Sequence, residues 1–357
     1  MRVILDTTEL RNDPWLTSAP VRILQEVLQK SGAHLVVPDV VIRELGRHYE
    51  RDVEKASSGA RENIQTLNKL MPPGIGSHIP LPDVGGWAEV HHQRLGQRLR
   101  DLGAEQSSSA AIPATALLER AIATRRPFNG DEGKKGLRDA LIWEQTLGIA
   151  ATCDEPVVLV TSNRKDFAGP DGRLHADLRH DMNQRGIAPG RIEVVWGLHE
   201  FNRREADRHL GRLLDVEDAL RRDTHPTMSL KAILRDHEDD IIDELDDESA
   251  KLAQRFESRA SLRHRQNVRF EIKCVFIDAA EIANVIVNRL RDDLLSIGMT
   301  ASFQAGGRLL SDAEWRTKHD IDDVDRVEPV CIGIEMEIEL IVDSTAPDPV
   351  VFSIVSW

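Results

Sequence analysis

The sequence predicts an α/β fold in which a parallel sheet flanked by helices is followed by a smaller α+β domain with an antiparallel sheet. Three observations carry this prediction. In the first half, short unbroken apolar runs alternate with segments of helical periodicity, the pattern of βαβ units. Toward the end the pattern becomes a strict two-residue alternation, which belongs to strands with one face on a core and the other in water. Between the two lies a long charged stretch with a narrow apolar stripe, expected to be a solvated spacer helix. The boundaries so predicted are residues 1–205 for the first domain, 206–262 for a charged helical linker and 263–357 for the second domain.

The first strand is Val3-Ile4-Leu5 in "MRVILDTTEL", where Asp6 stands directly behind the apolar run. A helix follows, with Val21, Ile23, Leu24, Val27 and Leu28 at helical spacing, Pro20 in its first turn and Gly32 past its end. Leu35-Val36-Val37 is the second strand, and Pro38 turns the chain into a helix carrying Val41, Leu45 and Tyr49. Residues 59–113 add an amphipathic stretch, a Pro/Gly-rich loop and a helix with Arg94, Arg98 and Arg100. The polar loop "ATRRPFNGDEGKKG" runs into the buried helix "LRDALIWEQTLGIA", after which Val157 to Val160 and "IEVVW" form two more strands.

In the second domain Val268, Phe270, Ile272, Cys274 and Phe276 share one strand face, opposite Arg269, Glu271 and Lys273. The segment "CIGIEMEIELIV" alternates likewise, with Glu335, Glu337 and Glu339 on its outer face. Facing opposite charges contribute to cross-strand pairing, so 268–276 and 331–341 are expected to pair, packed on a helix at 279–297.

Composition narrows the function classes. A chain of 357 residues with 41% hydrophobic and 30% charged residues is globular. It has no apolar run of bilayer length and no signal-peptide pattern, so a cytoplasmic protein without a membrane partner is expected. Cys153, Cys274 and Cys331 are scattered among apolar neighbours, which fits buried thiols better than disulfides or zinc. The net charge of −14 arises entirely beyond residue 204, since the chain before that point is balanced. An acidic second half repels nucleic acid, while a balanced first half is free to gather its basic residues on one surface.

The chemistry lies in the acids. In an open parallel sheet, ligands bind outside the carboxyl ends of the strands. Asp6, Glu44, Asp139 and Asp166, with Asn163 just before the last, all follow strands or open helices at that edge. Each alone is equally an ordinary turn or cap residue. Together they would repel unless a cation sits among them, and oxygen ligands without His or Cys select Mg²⁺ or Mn²⁺. Lys134, Lys135, Arg138, Arg164 and Lys165 flank these acids, as phosphodiester anchors or as an ordinary solvated loop and helix start.

The ordered motifs "VILDTTEL", "VPDVVIREL", "KGLRDALIW" and "VVLVTSNRKDF" resemble the PIN-domain family of metal-dependent ribonucleases, closest to a bacterial branch with a long insertion, here carrying a C-terminal extension. The resemblance covers residues 1 to 200 and implies a flavodoxin-like sheet of order 3-2-1-4-5, Mg²⁺ or Mn²⁺ as cofactor and single-stranded or structured RNA as substrate. It assigns catalysis to Asp6, Glu44 and Asp139 and metal binding to these with Asn163 and Asp166, while Lys134, Lys135, Arg138, Arg164 and Lys165 are candidate substrate contacts by their position beside these acids. The fourth motif departs from the family, with Asn163 where an aspartate is usual and Asp166 nearby out of register. That departure keeps a rival reading open: an RNA-binding or sensing protein of weakened catalysis, acting through an acidic second domain that associates with itself or a protein partner. A phosphatase with Asp6 as nucleophile fits poorly, because "LDTTEL" lacks the paired aspartates of that chemistry.

Overall fold

The computed structural model describes residues 1–71, 83–128, 135–247, 268–291, 293–311, 330–343 and 349–356. Contacts divide the chain into two compact units, Met1–Thr17 with Leu24–Glu205, and Ser18–Ile23 with Ala206–Trp357.

The first unit is built on five parallel strands in the order β3-β2-β1-β4-β5, where β1 is Arg2–Leu5, β2 His34–Pro38, β3 Glu105–Ser107, β4 Val157–Val160 and β5 Ile192–Val195. The bare apolar runs are the central strands. Val3, Ile4, Leu5 and all four residues of β4 are buried, as expected where helices cover both faces of a sheet. The connecting helices are α1 (Ala19–Ser31), α2 (Asp39–Leu70), α3 (Trp87–Asp101), α4 (Ala114–Ile122), α5 (Leu137–Thr152), the short α6 (Arg164–Phe167), α7 (Ala176–Gln184) and α8 (Leu198–His209). Leu5 pairs with Val160, so the carboxyl ends of β1 and β4 stand side by side and whatever follows them is neighbouring.

In α5, Trp143 is fully buried and donates its Nε1 proton to Asp181 Oδ2 at 2.9 Å. Arg120 of α4, also buried, bonds the same carboxylate, and Arg125 holds its other oxygen at 2.5 Å. Gly136, which opens α5, has φ of +103°. A Cβ there would lie 2.3 Å from Pro127 O, so the glycine of "GKKG" serves a close backbone approach.

The second unit contains helices α9 (Leu214–Arg221), α10 (Leu230–Asp236) and α11 (Glu238–Asp247), and an antiparallel sheet of order β11-β10-β9-β8-β6 with β7 also on β9. Here β6 is Gly211–Arg212, β7 Val268–Val275, β8 Glu281–Arg289, β9 Leu294–Ser311, β10 Val330–Asp343 and β11 Pro349–Ser356. Ile334, Met336, Ile338 and Leu340 face the core, as their alternation predicts.

Three expectations fail here. The helix placed at 279–297 is instead β8 and the start of β9. A register shift between Ala283 and Ile286, with Asn284 at φ of +51°, breaks the alternation of β8 and makes its apolar spacing imitate a helix. Strands 268–276 and 331–341 do not pair with each other; both pair with the 18-residue β9, whose Gly, Ala and Ser content hid its length. Their facing charges go elsewhere: Lys273 binds Glu271 on its own strand at 2.8 Å, and Glu339 is 4% exposed rather than outward. A second shift between Ile272 and Cys274 turns Val275 into the core and leaves Phe276 exposed. Finally, α10 and α11 are not a solvated spacer. Leu230, Ile233, Leu234, Ile241 and Leu245 are buried in the core of the second unit, while 248–262 lie outside the described residues.

That burial sets a test. Leu245→Ala should destabilise the protein by about 2–5 kcal/mol, the cost of deleting a core leucine, where a solvated spacer would lose under about 0.5 kcal/mol. Urea denaturation of the full chain distinguishes the two.

Candidate active site

Asp6 both caps and faces a cavity. It is the N-cap of a 3-10 turn, Thr7–Glu9, where Oδ1 accepts Thr7 N–H at 2.6 Å. Its Oδ2 accepts the hydroxyls of Thr161 at 2.6 Å and Thr8 at 3.1 Å. Only 3% of Asp6 is exposed, and burial raises its pKa above the ordinary aspartate value, partly offset by these hydrogen bonds.

Glu44 stands on the second turn of α2, facing the same cavity. Its Oε2 accepts Thr7 Oγ1–H at 2.9 Å, while Oε1 takes the Arg138 guanidinium and lies 3.4 Å from His48 Nε2. Asp139 sits in the first turn of α5, where exposed N–H groups favour an acid. Asn163 N-caps α6 through Oδ1, which accepts Asp166 N–H at 3.3 Å. Its amide nitrogen donates to Asp139 Oδ1 at 2.8 Å and to Asp166 Oδ2 at 3.0 Å, bridging two carboxylates. Asp166 also meets Arg126 at 3.4 Å. Burial, then the charges of Asp6 and Asp166, push the Asp139 carboxyl up to about 6.

Asp6, Glu44, Asp139, Asn163 and Asp166 therefore line one cavity of about 600 Å³, together with Lys135, Arg138 and Lys165. The basic residues divide. Lys135 and Lys165 are exposed at the cavity wall, Arg138 is spent on Glu44, and Arg164 turns its guanidinium over the Trp196 ring at 5.3 Å. Lys134 lies outside the described residues. His91 is buried with Nε2 2.9 Å from Pro14 O, and Arg98 donates to Leu16 O, so these α3 residues hold the fold. Thr7, Thr8, Thr161, Arg11, His48 and Arg126 complete the site or its support, and the sequence reading missed them. Only Thr7 and Thr8 had a local signal, since they directly follow Asp6.

Among the described residues no three His, Cys, Asp or Glu side chains are disposed as a ready-made metal cage. The donor chemistry nevertheless fits a hard cation. All candidate ligands are oxygens, and both the burial and the neighbouring charges that raise Asp139 are what a divalent ion would offset.

The fold and site define a class: an open parallel α/β domain with clustered acids at the carboxyl edge of its central strands. A family model described as PIN domain matches residues 3–167, so this region of the chain belongs to the PIN-domain family. PIN domains are generally nucleases that use divalent metals, and the chain carries that nuclease-like domain. No curated protein and no solved structure matches the chain. No helix among the described residues is long and apolar enough to cross a membrane.

The raised carboxyls fix the pH response of the metal-free protein. A folded pKa of about 6 against an unfolded 3.8 means that the folded state holds the extra proton between those values. Stability from Asp139 is therefore present below pH 3.8 and lost as pH rises to about 6, on the order of 3 kcal/mol at 1.36 kcal/mol per pH unit. Asp139→Asn should flatten this decline and raise the melting temperature at pH 7.5 in chelator. Thermal scans from pH 4 to 8 measure it.

Proposed function

We propose that the chain is a metal-dependent endoribonuclease hydrolysing RNA phosphodiester bonds at the cavity around Asp6. The observation that carries the reading is the crowding of Asp6, Asp139 and Asp166 around one cavity at the carboxyl edge, where burial and then the charges of its neighbours raise the Asp139 carboxyl. Structural acids are commonly separated or paired with bases, so a cavity that gathers them suits a cation-assisted reaction.

Asp6, Asp139 and Asp166 would hold the Mg²⁺ or Mn²⁺, with Glu44 joining once Arg138 leaves it. Such an ion supplies Lewis acidity and a more acidic bound water. The protein's own residues do the positioning. Thr7, Thr8 and Thr161 fix both oxygens of Asp6, so that carboxylate is oriented before anything binds. Asn163 aligns Asp139 and Asp166 through one amide. Lys135 and Lys165, exposed on the cavity wall, would hold the phosphodiester, and Arg138 would exchange Glu44 for a phosphate oxygen. The second unit would serve association with another copy or a protein partner.

One observation favours a second reading. Arg138 occupies Glu44, and an amide stands at Asn163 where the family's motif has a carboxylate, which together lower the charge available to a cation. An RNA-binding or sensing role without strong cleavage would follow.

Incubating the full chain with labelled single-stranded RNA and Mn²⁺ separates them. Asp6→Asn and Asp139→Asn should each lose at least about a hundredfold in cleavage rate while keeping a native circular dichroism spectrum. Asn163→Ala should lose about tenfold, as supporting residues of metal sites do, and Asn163→Asp should bind Mn²⁺ more tightly. Equal cleavage by wild type and Asp6→Asn would remove the nuclease assignment; binding without cleavage would support the second reading.

A further inference from the structure

On α2, Arg43, Arg47 and Arg51 recur every four residues, so their side chains fall along one helix face about 6 Å apart. All three are exposed. They line a furrow of about 550 Å³ whose wall also includes Arg138. This furrow runs into the acidic cavity, since Glu44, His48 and Arg138 line both.

The positive charge of the row is only partly matched. Arg43 pairs with Asp39 at 2.5 Å, Arg51 donates to His48 Nδ1 at 2.6 Å and stands 3.8 Å from Asp52, and Arg138 is on Glu44. Arg47 has no ion pair among the described residues, and Glu44, Glu50 and Glu54 also line the furrow. Like charges at four-residue spacing cost an isolated helix a few tenths of a kcal/mol per pair, about what the Arg43–Asp39 pair returns, so the helix gains little from this row. An anion with regularly spaced charges gains a great deal.

We infer that the arginine face of α2 is a track for the backbone of a single-stranded nucleic acid, leading its phosphates along the helix into the acidic cavity; the inference rests on the nuclease reading of that cavity. A single strand is required because Asp6 is recessed, only 3% exposed, where a flexible strand reaches and a rigid duplex does not. Guanidinium groups match phosphate oxygens in a planar fork and read no base, so the track accepts RNA and DNA alike. Arg138 stands at the junction, on the wall of both furrow and cavity. Strand length then matters: a short strand held at the cavity leaves α2 bare, and a longer strand also engages α2.

Fluorescence anisotropy tests this in the Asp6→Asn protein, which removes cleavage from the measurement. The probes are labelled single strands of 4 and 12 nucleotides, of RNA and of DNA, at several salt concentrations. The 12-mer should bind at least about tenfold more tightly than the 4-mer, and Arg43→Glu with Arg47→Glu should erase that gain. The salt slope for the 12-mer should fall by about 1.4, at about 0.7 per lost phosphate contact on a single strand. Arg43→Lys with Arg47→Lys should keep most of the affinity, which rules out damage to the helix. Equal affinity for both lengths, an unchanged slope in the glutamate pair, or equally tight binding of a poly-glutamate peptide would overturn the track. Length- and arginine-dependent binding by a wild-type protein that cuts nothing would sustain the track and remove the nuclease reading instead.

Discussion

The structure of the first unit turns on one constraint: carboxylates brought together at the edge of a buried sheet must be held apart from protonation and from each other. Parallel pairing of β1 with β4 puts Asp6 and Thr161 side by side, and two further elements add Asp139 and Asp166. In a site this secluded each negative charge lacks water to screen it. The local answer is a set of short polar groups, Thr7, Thr8, Thr161 and Asn163, which donate hydrogen bonds without adding charge. Donors of that kind orient carboxylates and leave the net negative potential in place, which suits a site made to attract a cation. Glu44 and Asp166 are handled differently, by ion pairs with Arg138 and Arg126.

Much of this was legible because the relevant patterns are local. Asp6 follows an unbroken apolar run, Glu44 comes one and a half turns after Pro38, and Asp139 sits three residues after Gly136; strand ends and helix starts of that kind are set by short-range chemistry. Asn163 caps the short helix whose first turn carries Asp166, and both line the cavity. Thr161 and Arg126 were not legible. Thr161 reaches Asp6 across 155 positions and Arg126 reaches Asp166 across 40, and nothing near either residue announces its partner.

The second unit was misread for the complementary reason. Its alternation identified β10, which pairs with β9 in unbroken register, but failed at the bulges of β7 and β8. One extra residue in a strand inverts every side chain beyond it, so the shifts at Ala283/Ile286 and Ile272/Cys274 turned a strand into an apparent helix and moved Phe276 from core to surface. Periodicity also overrated the solvation of α10 and α11. A narrow apolar stripe suffices to dock a helix when the opposing sheet is wide and apolar, and the acidic remainder of α11 then simply faces water.

The buried pair of Arg120 and Asp181 extends the constraint beyond the cavity. Asp181 receives three donors, from Arg120, Arg125 and Trp143, and so ties α4 and the segment after it to α5 and α7. Arg120 also donates to Arg126 O at 2.9 Å, and Arg126 N–H is taken by Asp177 at the same distance, which fixes the backbone from which the Arg126 side chain reaches Asp166. A buried ion pair of this kind adds little net stability, because desolvation consumes most of the attraction, but it tolerates few alternative arrangements. Its value lies in position. Trp143 is one turn beyond Asp139 on α5, so the bond that anchors Trp143 also sets the rotation of the helix that presents Asp139 to the cavity. The acids at the edge of the sheet are thus placed from two sides: by strand pairing for Asp6, and by a charged anchor deep in the fold for Asp139 and Asp166.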